Sequence, residues 1–275
     1  MPRYPVALML VLVVAIPAAI AGADCMVFCA PGAPGTTADA QSTLDQFVAG
    51  VVTAAGWKPG SMKAVYYETG PAGVERLRSD DAVVAVVTLP FYLAHRAELG
   101  LEPLLAAVAN WEGDGAWSLV AARGRLARPG DLSGWIVTGL PAYHPGLVRG
   151  PVLSAWGDLP ETVGVEFTGR TLSALRKASR GEDLAVLLDR TQVDALDSLP
   201  YGDKLEVVHA SGPMPGSLLC AVGNRFSKEK QSALTSALLS LHERSDGASL
   251  LETIRMTRFR ELDRDLLERI AGAAD

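Results

Sequence analysis

Trp135-Ile-Val-Thr-Gly-Leu-Pro-Ala-Tyr-His-Pro-Gly146 is the stretch whose reading decides the fold. Ile136 and Val137 end a short apolar strand, Gly139 breaks it, and a helix is expected from Pro145. Open α/β sheets hold ligands at such strand–loop–helix junctions, beyond the carboxyl ends of the strands. A loop built for an anion is usually rich in Ser, Thr and Gly, whose amides and hydroxyls donate. This one carries Leu140, Pro141, Ala142, Tyr143 and Pro145, and its prolines have no N–H to give. The junction has the form of a ligand loop and the chemistry of an apolar one.

Working outward, strands and helices alternate on both sides. Cys25–Ala30, Met62–Tyr67, Ala82–Val87 and Leu104–Ala109 read as strands. Ala82–Val87 is continuously apolar, as in a parallel strand buried on both faces. Between them, helices are expected from Thr36 and Asp39, from Pro71, and over Phe91–Leu99. Asn110–Ala116 is polar and Gly-rich and reads as a crossover. A second βα series follows: strands at Trp117–Ala122, at Ile136, at Val163–Phe167, Leu184–Leu188, Leu205–His209 and Ser217–Val222. Leu147, Val148, Val152 and Trp156 mark one helix of that series, and Leu172 with Leu175 another. Ser227 and Asp246 each open a helix near the end, and a last one carries Leu266, Leu267 and Ile270. Two α/β lobes are expected: 24–112 with 225–275 as the first, and 113–224 as the second.

The chain has 275 residues, 49% of them hydrophobic, enough for full cores. Its formal charge is −6, and removing residues 1–23 takes away Arg3 and no acid, leaving −7. That balance argues against a nucleic-acid partner. Arg3, the apolar run Val6–Ile20 and Ala21-Gly22-Ala23 form a signal peptide, with cleavage expected after Ala23 and delivery to the periplasm. Export permits disulfides. Cys25 and Cys29, four strand residues apart, are separated by about 13 Å and cannot bridge without a turn. The three cysteines read as small buried hydrophobes, with a pairing to Cys220 left open. No C-x-x-C, H-E-x-x-H, P-loop or G-x-S-x-G pattern occurs, and His95, His144, His209 and His242 lack ligand spacing. No metal, cofactor or catalytic residue is expected.

Several stretches together resemble the phosphate- and phosphonate-binding family of periplasmic solute-binding proteins, of the type II fold. They are Val83–Tyr92, Asp131–Trp135, Phe167-Thr168-Gly169 with Leu172 and Leu175, Gly181 with Leu184–Asp189, and Gly212-Pro-Met-Pro-Gly-Ser-Leu-Leu219. Leu238–Leu241, Asp246-Gly247 and Leu250-Leu251 follow in order. The resemblance implies two lobes joined by crossing segments, closure on a small ligand, and delivery by a monomer to an inner-membrane ABC permease. The chain departs from the family where Gly139–His144 replaces a Ser/Thr-rich anion loop, and where Arg170 stands at a position often held by His.

Candidate ligand residues follow from the strand ends. Thr36 and Thr37 close the first loop, where the competing role is helix capping. Glu68 ends the second strand; its carboxylate repels anions and accepts from hydroxyls or amines. Phe91 and Tyr92 follow the third, and Trp111 and Trp117 flank the crossover. Leu140, Tyr143 and His144 belong to the opening loop, Thr168 and Arg170 follow the next strand, and Asp189 ends the one after. Arg170 is suited to a bidentate grip on an oxyanion unless it pairs with Asp189 or Glu68. Phe91, Leu140, Tyr143 and the tryptophans favour an apolar cargo, lipid- or sterol-like, over a bare phosphonate. An oxyanion receptor, an extracytoplasmic sensor and a secreted α/β enzyme are the alternatives.

Overall fold

The computed structural model of the chain describes residues 23–33, 35, 37–110 and 115–275. The expected signal peptide up to residue 22, Thr36 and Trp111 lie outside them. The first half of the chain alternates as expected: β1 (Asp24–Cys29), α1 (Thr37–Ala54), β2 (Met62–Tyr67), α2 (Gly70–Leu77), β3 (Ala82–Thr88), α3 (Leu89–Leu99) and β4 (Leu101–Ala109). Pro71 and Pro90 sit in the first turns of α2 and α3, where a missing N–H costs nothing. Then come β5 (Ser118–Ala122), β6 (Ile136–Gly139), α4 (Pro145–Leu147), β7 (Gly164–Phe167), α5 (Thr171–Ala178), β8 (Leu184–Leu188), α6 (Arg190–Asp194) and β9 (Leu205–Ala210). The chain ends with β10 (Ser217–Val222), α7 (Lys228–Ser240), α8 (Gly247–Thr253), β11 (Met256–Glu261) and α9 (Arg264–Ala274).

Two mixed sheets result, in the orders β11-β4-β10-β3-β1-β2 and β7-β6-β8-β5-β9. In the first, β1 pairs in parallel with β2 and β3, while β10 runs antiparallel between β3 and β4. In the second, β6 lies parallel to β7 and β8. One face of the first sheet packs Met26, Val84, Val86 and Leu219 against Phe47 of α1 and Leu234 of α7. Its other face, with Val27, Cys29 and Val87, belongs to an apolar cluster that runs without interruption into the second sheet through Phe91, Ala142, Leu147 and Leu187. A third cluster seats Leu175 of α5 on Val186 and Leu188.

The expected boundary at 224 needs correcting. β10 lies in the first sheet, so the chain returns to it through 211–216. The strand is apolar on both faces, which suits a sheet centre, and pattern alone cannot say which sheet. The last helix does not stay with the first sheet either: α9 packs on 145–152 of the second lobe, where no room remains for a Cβ at Gly146 or Gly150 against the carbonyls of Ala274 and Ala273. The long helix expected after Pro145 is one turn, continued by a π turn over Val148–Val152. Pro151 has no N–H for the carbonyl of Leu147, and Leu153 N–H bonds Val148 O instead. Asp246 precedes α8 without a side-chain cap, its carboxylate facing Arg244 instead. Ser227 does cap α7, accepting from Lys230 N–H. The edge strand β11 escapes the sequence reading because charges at Arg258, Arg260 and Glu261 mask its pattern. The three cysteines are free and buried, and burial pushes the Cys29 thiol up to about 12.

Candidate functional site

The loops after β1 and β2 and the start of α3 on one lobe meet the loops after β6 and β7 on the other, all at carboxyl ends of parallel strands. Gly32 brings the backbones of the two lobes together. Its φ is +76°, its N–H donates to Glu68 O at 3.1 Å, and a Cβ there would lie 2.8 Å from Phe167 and 2.9 Å from Leu140. On the other side, a Cβ on Gly169 would lie 2.8 Å from the Gly32 backbone. Two glycines therefore let the lobes meet backbone to backbone.

Tyr143 crosses this seam. The tight turn Pro141–Tyr143 presents its ring toward the first lobe. The ring stacks on Phe91 with centroids 5.9 Å apart and takes Phe167 edge-on at 5.3 Å. It also packs against Gly70, the first residue of α2, which has no room for a Cβ. Its hydroxyl lies 2.9 Å from His95 Nε2. With Glu98 accepting at His95 Nδ1, 3.5 Å away, a neutral His95 ring accepts the Tyr143 hydroxyl at Nε2. Burial first, then Cys29, raises the Tyr143 phenol and keeps it protonated. Next to it, Arg96 grips Asp275 with both carboxylate oxygens, 2.8 and 2.7 Å away. Consecutive residues of α3 thus reach two partners beyond the first sheet.

Of the residues expected at the site, Leu140, Tyr143 and Phe91 meet at the seam. Thr168 is beside them, accepting at Oγ1 from Arg170 N–H. Glu68 contributes its backbone carbonyl to Gly32 and its charge to Tyr66. Thr37 is the first residue of α1. Tyr92 is buried against the first sheet near Cys220, away from Tyr143. Trp117 is half-buried, and its N–H and carbonyl bond Ser211, tying the two crossing segments together. His144 caps α4, its Nδ1 accepting from Leu147 N–H at 3.1 Å; burial, then Arg96, lowers its pKa. Asp189 caps α6 through Gln192 N–H at 2.8 Å, and burial raises its pKa. Arg170 pairs with neither Asp189 nor Glu68. It is exposed and lines a cavity of about 530 Å³ on the flank of β6 and β7, with Glu166, Ser173, Lys177 and Glu182.

The sequence reading placed the loop from Gly32 at the cleft but did not single out Gly32, and it missed Gly70, His95 and Phe167 as site residues. His95 was within reach, since it lies four residues after Phe91 on the same face of α3. The glycine contacts join loops far apart in the chain and leave no local trace. Among the described residues no group of three or more His, Cys, Asp or Glu is placed to hold a metal, and no helix is long and apolar enough to cross a membrane.

The sequence pattern of a family described as the phosphonate ABC transporter's periplasmic substrate-binding protein matches residues 53–267. No curated protein sequence matches the chain. Among solved structures, a Xanthomonas citri protein bound to chloride ion is similar with a TM-score of 0.69 and 16% identity, over 90% of this chain and 96% of that one. A binding protein component of an ABC phosphonate transporter from Pseudomonas aeruginosa follows at 0.64 and 15%, over 92% and 85%. PhnD1 from Prochlorococcus marinus, in complex with methylphosphonate, follows at 0.60 and 14%, over 91% and 97%. At these identities the likeness is one of fold: two lobes, each an α/β sheet.

Proposed function

Because this chain belongs to the family of periplasmic substrate-binding proteins of phosphonate ABC transporters, we propose that it is exported by its N-terminal segment, receives a partly apolar ligand between its lobes, and delivers it to an inner-membrane permease. Family membership carries the general statement: the chain is a solute-binding protein of ABC-transporter type, from a binding family and not an enzyme family. The nature of the cargo is our own reading. Its support is Tyr143, which meets Phe91 and Phe167 where the loops converge. Leu140 adds to that surface against Gly32. Surfaces of this kind gain chiefly by burying apolar area.

Native mass spectrometry of protein taken directly from the periplasm tests this reading. A co-purifying lipid or other apolar mass is the expected result, and a phosphonate or phosphate mass overturns it. Arg170 favours a second reading, an oxyanion cargo, since its guanidinium makes no ion pair among the described residues and lines a cavity. Arg170→Ala separates the two. It weakens an anionic cargo at least tenfold and leaves an apolar one nearly unchanged, while Tyr143→Ala weakens an apolar one.

A further inference from the structure

We infer that Tyr143 is the specificity-determining residue of the seam, a side chain of the second lobe that fills the first lobe's share of the ligand volume and so excludes small oxyanions. The inference rests on the reading of the seam as the ligand site and adds how that site chooses. Three observations carry it. The ring occupies the space over Gly70 so fully that a Cβ there has no room. Phe91 below and Phe167 at the edge hold the ring in place. The hydroxyl bonds His95 at 2.9 Å, so that ring nitrogen of α3 is already engaged.

A compact oxyanion placed there must displace the ring, lose the hydrogen bond and desolvate against Phe91 and Phe167, with no compensating donor from Pro141. An apolar ligand displacing the same ring loses that hydrogen bond too but regains apolar contact with Phe91 and Phe167. Discrimination of this kind comes from a built-in clash as much as from attraction.

The test uses the mature full chain and titration calorimetry with methylphosphonate and with inorganic phosphate. The wild type and Tyr143→Phe should show no saturable binding of either anion at millimolar concentration, because the ring persists in both. Tyr143→Ser should bind at least one of them, at least tenfold tighter than the wild type; should it not melt cooperatively, Tyr143→Asn is measured in its place. The inference is overturned by tight anion binding in the wild type, or by a folded Ser or Asn variant that gains nothing. A gain in Tyr143→Phe equal to that in Tyr143→Ser also overturns it, since the hydroxyl and not the ring would then be the barrier. Failure here leaves the mass-spectrometric result standing, so the gate and the apolar cargo are judged separately.

Discussion

Tyr143 and His95 face each other across the seam with 2.9 Å between hydroxyl and Nε2, and no other side-chain hydrogen bond among the described residues links α3 to the loop after β6. The pair holds the lobes together at the point where the loops converge. Removing the hydroxyl in Tyr143→Phe should cost closure about 1 kcal/mol. Removing the half-buried ring as well, in Tyr143→Ala, should cost about 2 kcal/mol. Small-angle scattering should then give a larger radius of gyration for Tyr143→Ala and an almost unchanged one for Tyr143→Phe.

Gly32→Ala should prop the seam open. Its φ of +76° strains any side chain, and the new Cβ meets Phe167, Leu140 and Gly169. Gly56→Ala is the control, with φ of +70° and open space around it. Both should lose about 1 kcal/mol of stability from backbone strain. Only Gly32→Ala should expand in scattering; equal scattering for the two would mean that the contact at Gly32 does not limit closure.

The docking of α9 depends on Gly146 and Gly150. Adding a methyl at Gly146 drives it into the Ala274 carbonyl, which is backbone and cannot rotate away. Gly146→Ala should cost about 1–3 kcal/mol, a drop in Tm of about 2–4 °C per kcal/mol for a chain of this size. Asp275→Asn, which weakens only an ion pair with an exposed carboxylate, should cost at most about 1 kcal/mol. Thermal unfolding of the two variants distinguishes packing from charge.

His144 should make the seam sensitive to mild acid. Burial and Arg96 place its folded pKa below the ordinary value of 6.5, so the folded protein prefers neutral imidazole. The stabilisation is complete above about pH 6.5 and is lost as pH falls through the folded pKa. Protonating Nδ1 also removes the acceptor for Leu147 N–H. His144→Asn keeps a capping oxygen and does not titrate, so its Tm should fall less than that of the wild type between about pH 7 and pH 5.

Asp81 sets a second, more acid limit. Hydrogen bonds from Arg76 and Lys63 hold its carboxyl well below the usual range. Its contribution is therefore full above the unfolded value near 4 and is lost as pH falls below that. Asp81→Asn should cost about 1 kcal/mol at pH 7. Its unfolding midpoint in denaturant should also decline less steeply than that of the wild type below about pH 4.

Much of the fold was legible because it rests on local signals. The runs at Ala82–Thr88 and Leu184–Leu188 are buried in any α/β arrangement, and Pro71 announces the helix whose first turn it occupies. Leu140 and Tyr143 were legible as apolar occupants of a loop that usually carries donors, and both lie at the seam. Arg170 was expected to be either a ligand cation or the ion-pair partner of Asp189 or Glu68. Asp189 spends its carboxylate on its own helix instead, where Gln192 three residues on donates its N–H to the carboxylate and accepts from the Asp189 N–H.

By itself, then, the sequence determined the alternation of strands and helices, the family resemblance, and the apolar character of the loop after β6, since each is written in residues close together in the chain. Only the tertiary structure decided that β10 joins the first sheet, that α9 lies on the second lobe, and that Gly32, Gly70 and His95 receive side chains of the opposite lobe. Those outcomes depend on contacts between segments tens of residues or more apart. Their free energy comes from shapes fitting across the seam, and no pattern within either segment encodes the shape of the other.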